Sequence, residues 1–409
     1  MKIPELLAPA GNLQKLRIAV RYGADAVYLG GRGYSLRAHA ALAPDDLGEA
    51  IAAAHAGGVR AYVTVNIFAH NRDLDDLPAY LLRLAEHGAD AIIVADPGVL
   101  AVARRTVPAL PVHLSTQANV TNRESAAFWV SQGVRRINLA RELSLAEIAA
   151  IRAKVDCGLE VFVHGALCIS YSGRCLLSHY LTGRSANRGD CAHPCRYRYA
   201  VGEELRPGHW FPVEEDERGA YIFNSRDLCL IGRLPELAAA GVDSVKIEGR
   251  MKSPYYVGAT VRAYRAALDW MGETAAKGGE TAMPPVFAEE IGKIGSRGYT
   301  ENFLDQPPAT RDMLHAAPRL DPSHEPVAIV RAGGGEPLLE VRNPLAVGEE
   351  IEYLGSGLAA SRHLVLGIRD RSGAPVARAN PNAVVEVHLQ PPAADWLPDS
   401  LVRRASSGK

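Results

Sequence analysis

The chain has 409 residues, of which 47% are hydrophobic and 22% charged, and its formal net charge is −1. That length suits one large domain plus a smaller one, and the balanced charge excludes a globally basic nucleic-acid surface, so any such binding must use a local patch. The most apolar stretches, such as Ala91 to Ala103, are broken by Asp96, Pro97 and Gly98, short of the ~18 apolar residues a membrane-spanning helix needs. The opening MKIPELLAPAG has no basic segment before an apolar run, so neither a signal peptide nor membrane association is expected and a cytoplasmic location is. In that reducing compartment, clustered cysteines serve as ligands or catalysts rather than disulfides.

In chain order, short apolar runs alternate with amphipathic stretches. Strands are expected at Glu5 to Ala8, Ala26 to Leu29, Ala61 to Asn66, Ala91 to Val94, Val112 to Ser115, Arg136 to Leu139 and Leu159 to Val163. Helices fall between them: Asn12 to Tyr22 with Asn12 as cap, then 45–55, 74–87, 98–106, 123–132 and 145–154. The eighth strand, Ser244 to Glu248, comes after a long excursion over 165–243, in which a helix is expected from about Leu228 to Ala240. A helix from Pro254 to about Trp270 follows it. A glycine precedes several strands, at Gly23, Gly88, Gly133 and Gly241, where a left-handed residue can end a helix. Eight such units over 1–271 predict a (β/α)8 TIM-like barrel with a Cys-rich insertion after strand seven. Residues 272–322 form a helical connector, 323–391 a small C-terminal all-β domain with Gly-rich turns, and 392–409 a loosely ordered tail.

In a barrel of this class the chemistry gathers at the C-terminal ends of the strands. The polar residues there are Asn66, His113, Gln117, Asn119, Arg141, Glu142, His164 and the run Glu248-Gly249-Arg250. Alternation aims His113 and Ser115 into the barrel and leaves Gln117 and Asn119 in the loop beyond, an arrangement suited to a hydroxylated or heterocyclic ligand. Glu248 can exchange a proton, and Arg250 can clamp a carboxylate or phosphate; an internal Glu–Arg pair closing the barrel is the plainer alternative. His164 is a candidate base or a partner behind a metal centre, and a structural histidine is as ordinary a reading.

The Cys-rich insertion leaves from that same face. Cys168, Cys175, Cys191 and Cys195 are spaced C-x6-C-x15-C-x3-C. Structural zinc favours two tight pairs, and only Cys191 and Cys195 form one, so the spacing suits a [4Fe–4S] cluster better. Cys229 is a possible fourth ligand in place of Cys195. Cys157 precedes a strand, which puts it at the opposite face as a core residue. Arg174, Arg184, Arg188, Arg196 and Arg198 surround the cysteines against the single acid Asp190, interleaved with Tyr171, Tyr180, Tyr197 and Tyr199. Cations with stacking rings fit single-stranded RNA; a solvated basic loop is the alternative.

These residues resemble the U32 family, long called collagenase-like peptidases, and within it most nearly the prephenate-dependent tRNA hydroxylation proteins. The resemblance rests on Glu5-Leu-Leu-Ala-Pro-Ala-Gly11, Tyr22-Gly-Ala-Asp-Ala-Val-Tyr28, Val63-Thr-Val-Asn66, His113-Leu-Ser-Thr-Gln-Ala-Asn119, Val163-His-Gly-Ala-Leu-Cys168 and Lys246-Ile-Glu-Gly-Arg250. Arg297-Gly-Tyr-Thr300 and Arg342-Asn-Pro-Leu-Ala-Val-Gly348 extend it nearly to the end of the chain, while residues 35–42 depart from the Asn-Phe pair common nearby. It implies an oxygen-sensitive iron–sulfur cluster held by Cys168, Cys175, Cys191 and Cys229, with Cys195 the alternative fourth ligand. It also implies formation of 5-hydroxyuridine at the tRNA wobble position with prephenate as hydroxyl source, and a second U32 protein as a partner for some members. On this basis Arg37, Arg141 or Arg250 would hold the carboxylates of the donor, Gln117, Asn119 and Glu248 would position the base, and Arg174, Arg196 and the β domain would grip the RNA. Relatives acting on ribosomal RNA or a quinone precursor, and a peptidase, are the other expectations; no Ser-His-Asp arrangement is visible, and a cysteine bound in a cluster is unavailable as a nucleophile.

Overall fold

The computed structural model describes residues 2–37, 40–167, 175–194, 226–279, 282–296, 298–305 and 322–406, with short strand pieces at 201–202, 210–211, 214–216 and 219–221. Eight parallel strands close into a barrel. They are β1 (Glu5–Pro9), β2 (Ala26–Gly30), β3 (Arg60–Val65), β4 (Ala91–Val94), β5 (Val112–Leu114), β6 (Arg136–Asn138), β7 (Gly158–Ala166) and, after the intervening β8 (Asp227–Cys229), β9 (Ser244–Ile247). The ring closes because β9 pairs with both β1 and β7. The apolar outward positions of the strands pack under amphipathic helices such as Leu13–Arg21, whose Asn12 side chain accepts from the Lys15 amide at 2.9 Å. Gly23, Gly88, Gly133 and Gly241 have φ between +79° and +85°, and each turns the chain from a helix into the next strand.

Charged side chains fill the floor of the barrel, at the N-terminal ends of the strands. Arg136 donates to Glu5 at 2.6 Å and lies 3.4 Å from Glu160, Lys246 donates to Glu160 at 2.7 Å, and Tyr62 donates to Glu5 at 2.9 Å. Such burial is tolerable because each charge meets an opposite one.

Three features differ from the sequence expectation. The segment 227–229 is a strand antiparallel to β7, and the helix expected from Leu228 runs only from Leu234 to Ala239. Its backbone satisfies the free edge of β7, which extends past the end of β9. The helix from Pro254 continues to Ala276, beyond Trp270. The expected loose tail instead contains a strand, Leu401–Ala405.

That strand completes the C-terminal domain. β11 (His324–Ala332), β12 (Leu338–Val341), β13 (Glu350–Leu354), β14 (Ala360–Arg369), β15 (Val384–Gln390) and β16 (Leu401–Ala405) form a closed antiparallel barrel, with β16 sealing β11 to β13. (The two-residue β10, Tyr299–Thr300, pairs with β8.) The double arginine of β16 hides it from an apolar-pattern reading, yet Arg403 is 1% exposed. It is buried because Glu290, on the connector helix Pro285–Gly292, receives Arg403 at 2.8 Å and Arg262 of the large barrel at 2.9 Å. Tyr22 adds a second tie, donating to the Leu354 carbonyl at 2.7 Å and accepting from the Leu401 amide at 2.8 Å.

A candidate active site at the barrel mouth

A cavity of about 320 Å³ opens at the C-terminal ends of the strands. Its wall combines three kinds of chemistry: the sulfurs of Cys175 and Cys191, the cations Arg37, Arg141, Lys246, Arg250 and Lys252, and the carboxylate Glu248. Polar amides and hydroxyls of Thr64, Asn66, Ser115, Gln117 and Asn138 line the inner part.

Glu248 follows β9, where its amide donates to the His164 carbonyl at 2.8 Å. Its Oε2 accepts from the Tyr28 hydroxyl at 3.2 Å, and Arg37 stands 3.9 Å from Oε1. Burial works against its ionisation, but Arg37, Arg141 and Arg250 together outweigh that and hold the carboxyl below its ordinary range. Arg250 is buried and donates to Ser35 at 2.7 Å and Thr64 at 3.1 Å, while its Nε has no hydrogen-bond partner among the described residues. Arg141 stacks 3.9 Å over the Phe162 ring and donates to the Ala166 carbonyl at 2.9 Å. Asn66 and Gln117 pair reciprocally: Asn66 donates to Gln117 Oε1 at 2.6 Å, and Gln117 donates to the Asn66 carbonyl at 2.9 Å. Their polar atoms therefore form one rigid wall.

The structure gathers Arg37, Asn66, Gln117, Arg141, Glu248, Arg250, Cys175 and Cys191 around this cavity. It does not bring His113, Asn119, His164 or Cys229 there. His113 does point into the barrel, but it is only the second residue of β5 and lies in the floor layer, 4.7 Å from the Tyr62 ring. Burial and the nearby Arg136 push its pKa down to about 3, so it is neutral. Asn119 caps a 3-10 turn in the left-handed conformation, φ 52°, and donates to the Gln117 carbonyl at 3.0 Å. His164 is displaced by a bulge. Lys246 pairs with Phe162 but Ile247 pairs with His164, so one extra residue turns His164 out of the barrel. Its ring sits 5.5 Å from Tyr264 and Tyr299 and 5.8 Å from Tyr256, and burial lowers its pKa to about 4. Cys229 faces His164 across the β7–β8 ladder, with its sulfur 3.8 Å from the Tyr264 hydroxyl; burial pushes its thiol pKa up. Cys168, Arg174, Cys195 and Arg196 lie outside the described residues.

Two of the proposed thiolate ligands fit a soft metal centre at this cavity. Cys175 and Cys191 line it, and the His193 amide points at the Cys191 sulfur at 3.4 Å, the type of contact that stabilises a cluster-bound thiolate. Leu167 is also part of the cavity wall. Sequence reasoning missed Tyr28, Lys246 and Asn138 as wall residues. All three lie at inward positions of strands, where an ordinary core residue would leave the same pattern.

The fold and this cavity define a (β/α)8-barrel protein whose candidate ligand site is a cavity at the C-terminal face of the strands. The model for peptidase family U32 matches residues 11–314. The tRNA hydroxylation protein P1 of Bacillus subtilis (strain 168) is 38% identical over 376 residues, covering 91% of this chain and 88% of that one. The tRNA hydroxylation protein P of Escherichia coli (strain K12) is 41% identical over 342 residues, 74% of each chain. The 23S rRNA 5-hydroxycytidine C2501 synthase of the same strain is 37% identical over 304 residues, 74% of this chain and 45% of that one. The chain belongs to peptidase family U32. Among its described residues, no helix is long and apolar enough to cross a membrane.

Proposed function

We propose that this chain hydroxylates RNA, forming 5-hydroxyuridine at the wobble position of tRNA with prephenate as the hydroxyl donor. The observation that carries this reading is the cavity itself, which sets thiols beside three guanidiniums and an ionised carboxylate. It is supported by likeness to proteins named for tRNA hydroxylation and for 5-hydroxycytidine synthesis in ribosomal RNA. Arg37 and Arg141, both in the cavity wall, would hold a carboxylate-bearing donor. The rigid Asn66–Gln117 wall suits the donors and acceptors of a pyrimidine ring. Replacing the C5 hydrogen of uracil by hydroxyl is a two-electron oxidation, so the donor that supplies the oxygen must also take up the two electrons. The hydrogen leaves as a proton, which Glu248, ionised at neutral pH, would accept.

A [4Fe–4S] cluster held by Cys168, Cys175 and Cys191, with Cys229 or Cys195 as fourth ligand, would supply an iron able to bind and polarise a hydroxyl oxygen. The tRNA would contact the exposed side of the mouth, and a second family member is a further expected partner. A thiol-peptidase reading has one geometry in its favour, the approach of His193 Nδ1 to Cys191 Sγ at 3.9 Å, which is longer than an activating hydrogen bond of roughly 2.6–3.2 Å.

Mass spectrometry of tRNA nucleosides from a deletion strain tests the proposal. Wobble 5-hydroxyuridine and nucleosides derived from it should vanish and return on complementation. An unchanged nucleoside profile, or peptide release that survives Cys191→Ala, contradicts it.

A further inference from the structure

Lys246 lines the cavity with a side chain 4% exposed. Its Nζ donates to Glu160 Oε1 at 2.7 Å and lies 4.5 Å from the Tyr28 ring centroid and 5.4 Å from that of Phe162. Burial in this aromatic slot pushes the ammonium pKa down, with Glu160 opposing the shift. Asn138 stands opposite Glu160 across the β6–β7 ladder and also lines the cavity. Asn138 is 3% exposed, and its Oδ1 has no hydrogen-bond partner among the described residues. A buried acceptor left unmatched is unfavourable, so this oxygen can accept from a ligand's donor. A buried amine beside a carboxylate, an unmatched acceptor and guanidiniums at the rim form a site for a carboxylate that also carries a ketone.

We propose that Lys246 forms an imine with the ketone of an α-keto acid bound in this cavity. Glu160 takes a proton from the ammonium. The free amine attacks the carbonyl carbon, a C–N bond forms, and one proton passes from the attacking nitrogen to the carbonyl oxygen, which becomes the carbinolamine hydroxyl and donates to Asn138 Oδ1. Glu160 then returns its proton to that hydroxyl, which leaves as water as the C=N bond forms. Nothing is oxidised or reduced. Arg37 holds the carboxylate of the same molecule. The inference rests on the proposed function in one respect, since prephenate is the α-keto acid that reading supplies.

Reductive trapping tests it without RNA. The full chain is incubated with phenylpyruvate and cyanoborohydride, then digested and mapped by mass. The expected result is a reduced adduct on Lys246 several-fold above that on the exposed Lys277, falling by at least about 10²-fold in Glu160→Gln as expected for loss of a proton acceptor. Asn138→Ala, which keeps every charge in place, should also lower trapping and guards against a folding defect in the glutamate variant. Modification of Lys246 no greater than that of Lys277, in protein with a normal melting transition, overturns the inference. RNA hydroxylation without trapping would leave the proposed function standing and remove this step; trapping without hydroxylation would do the reverse.

Discussion

Two carboxylates in this molecule are each surrounded by cations, and they are held differently. Glu290, between the two barrels, receives Arg262 at 2.9 Å, Arg403 at 2.8 Å and Lys293 at 2.8 Å. Glu248, at the mouth, meets Arg37 only at 3.9 Å and Tyr28 at 3.2 Å. The first cluster is closed and matched, which is how a buried charge becomes a structural tie. The second leaves hydrogen-bonding capacity on both sides, and in the same cavity wall Arg250 Nε and Asn138 Oδ1 have no hydrogen-bond partner among the described residues. Of these two carboxylates, the tightly paired Glu290 marks a structural tie and the loosely paired Glu248 a site open to a ligand.

Breaking the tight cluster should affect stability most. Arg403→Leu removes the cation that Glu290 and Glu352 share, leaving Glu290 with Arg262 and Lys293, and urea unfolding should show a loss of about 3 kcal/mol, the lower end for a broken buried pair. The loose cluster should respond in the opposite sense. Glu248→Gln should lower RNA hydroxylation by about 10²–10⁴-fold, the usual range for a proton-transfer group, while changing unfolding free energy by less than about 1 kcal/mol.

Gly165→Ala lies between these cases. Its φ is +111°, and a Cβ there would stand 2.4 Å from the Glu248 carbonyl oxygen. A cost of about 1–3 kcal/mol is expected from the backbone alone, together with lost activity as the 248–250 turn shifts. Both effects should appear in the same variant, read by unfolding and by hydroxylation.

The remaining effects appear only when pH is varied. Burial opposes ionisation of Glu290, but its cations prevail and bring its pKa to about 2, below the ordinary 4.5. Its contribution is complete above pH 4.5 and is lost as pH falls toward 2. His113, held neutral with a pKa near 3 instead of 6.5, favours the unfolded state as pH falls through that window. His113→Gln should flatten the stability profile between pH 6.5 and 3 and leave the acid limb due to Glu290.

Much of this was legible in the sequence because barrel strands and helices differ in period and each glycine turn repeats. Every barrel strand falls within one or a few residues of its expected place. Failures came where a tertiary partner overrides the local pattern. Alternation gives His164 the same face as Phe162, and the β7 bulge, set by pairing with β9, reverses it. Alternation gives His113 the right face but not its depth. At about 3.3 Å per residue, Ser115 and Gln117 reach the mouth while His113 stays in the floor. Arg403 and Arg404 look like a solvated tail until Glu290, more than a hundred residues earlier, is seen to receive the first of them. Lys246 reads as an ordinary charge until Phe162, on the neighbouring β7, and Tyr28, on β2, enclose it.

The most direct test of the account is anaerobic purification of the chain with iron and acid-labile sulfide analysis, for the wild type and for Cys175→Ser and Cys191→Ser. The account predicts a brown protein with [4Fe–4S] stoichiometry, and loss of colour and of tRNA hydroxylation in both variants, while the melting transition of the C-terminal barrel is retained. A colourless wild-type protein, or one holding a single zinc, would contradict it.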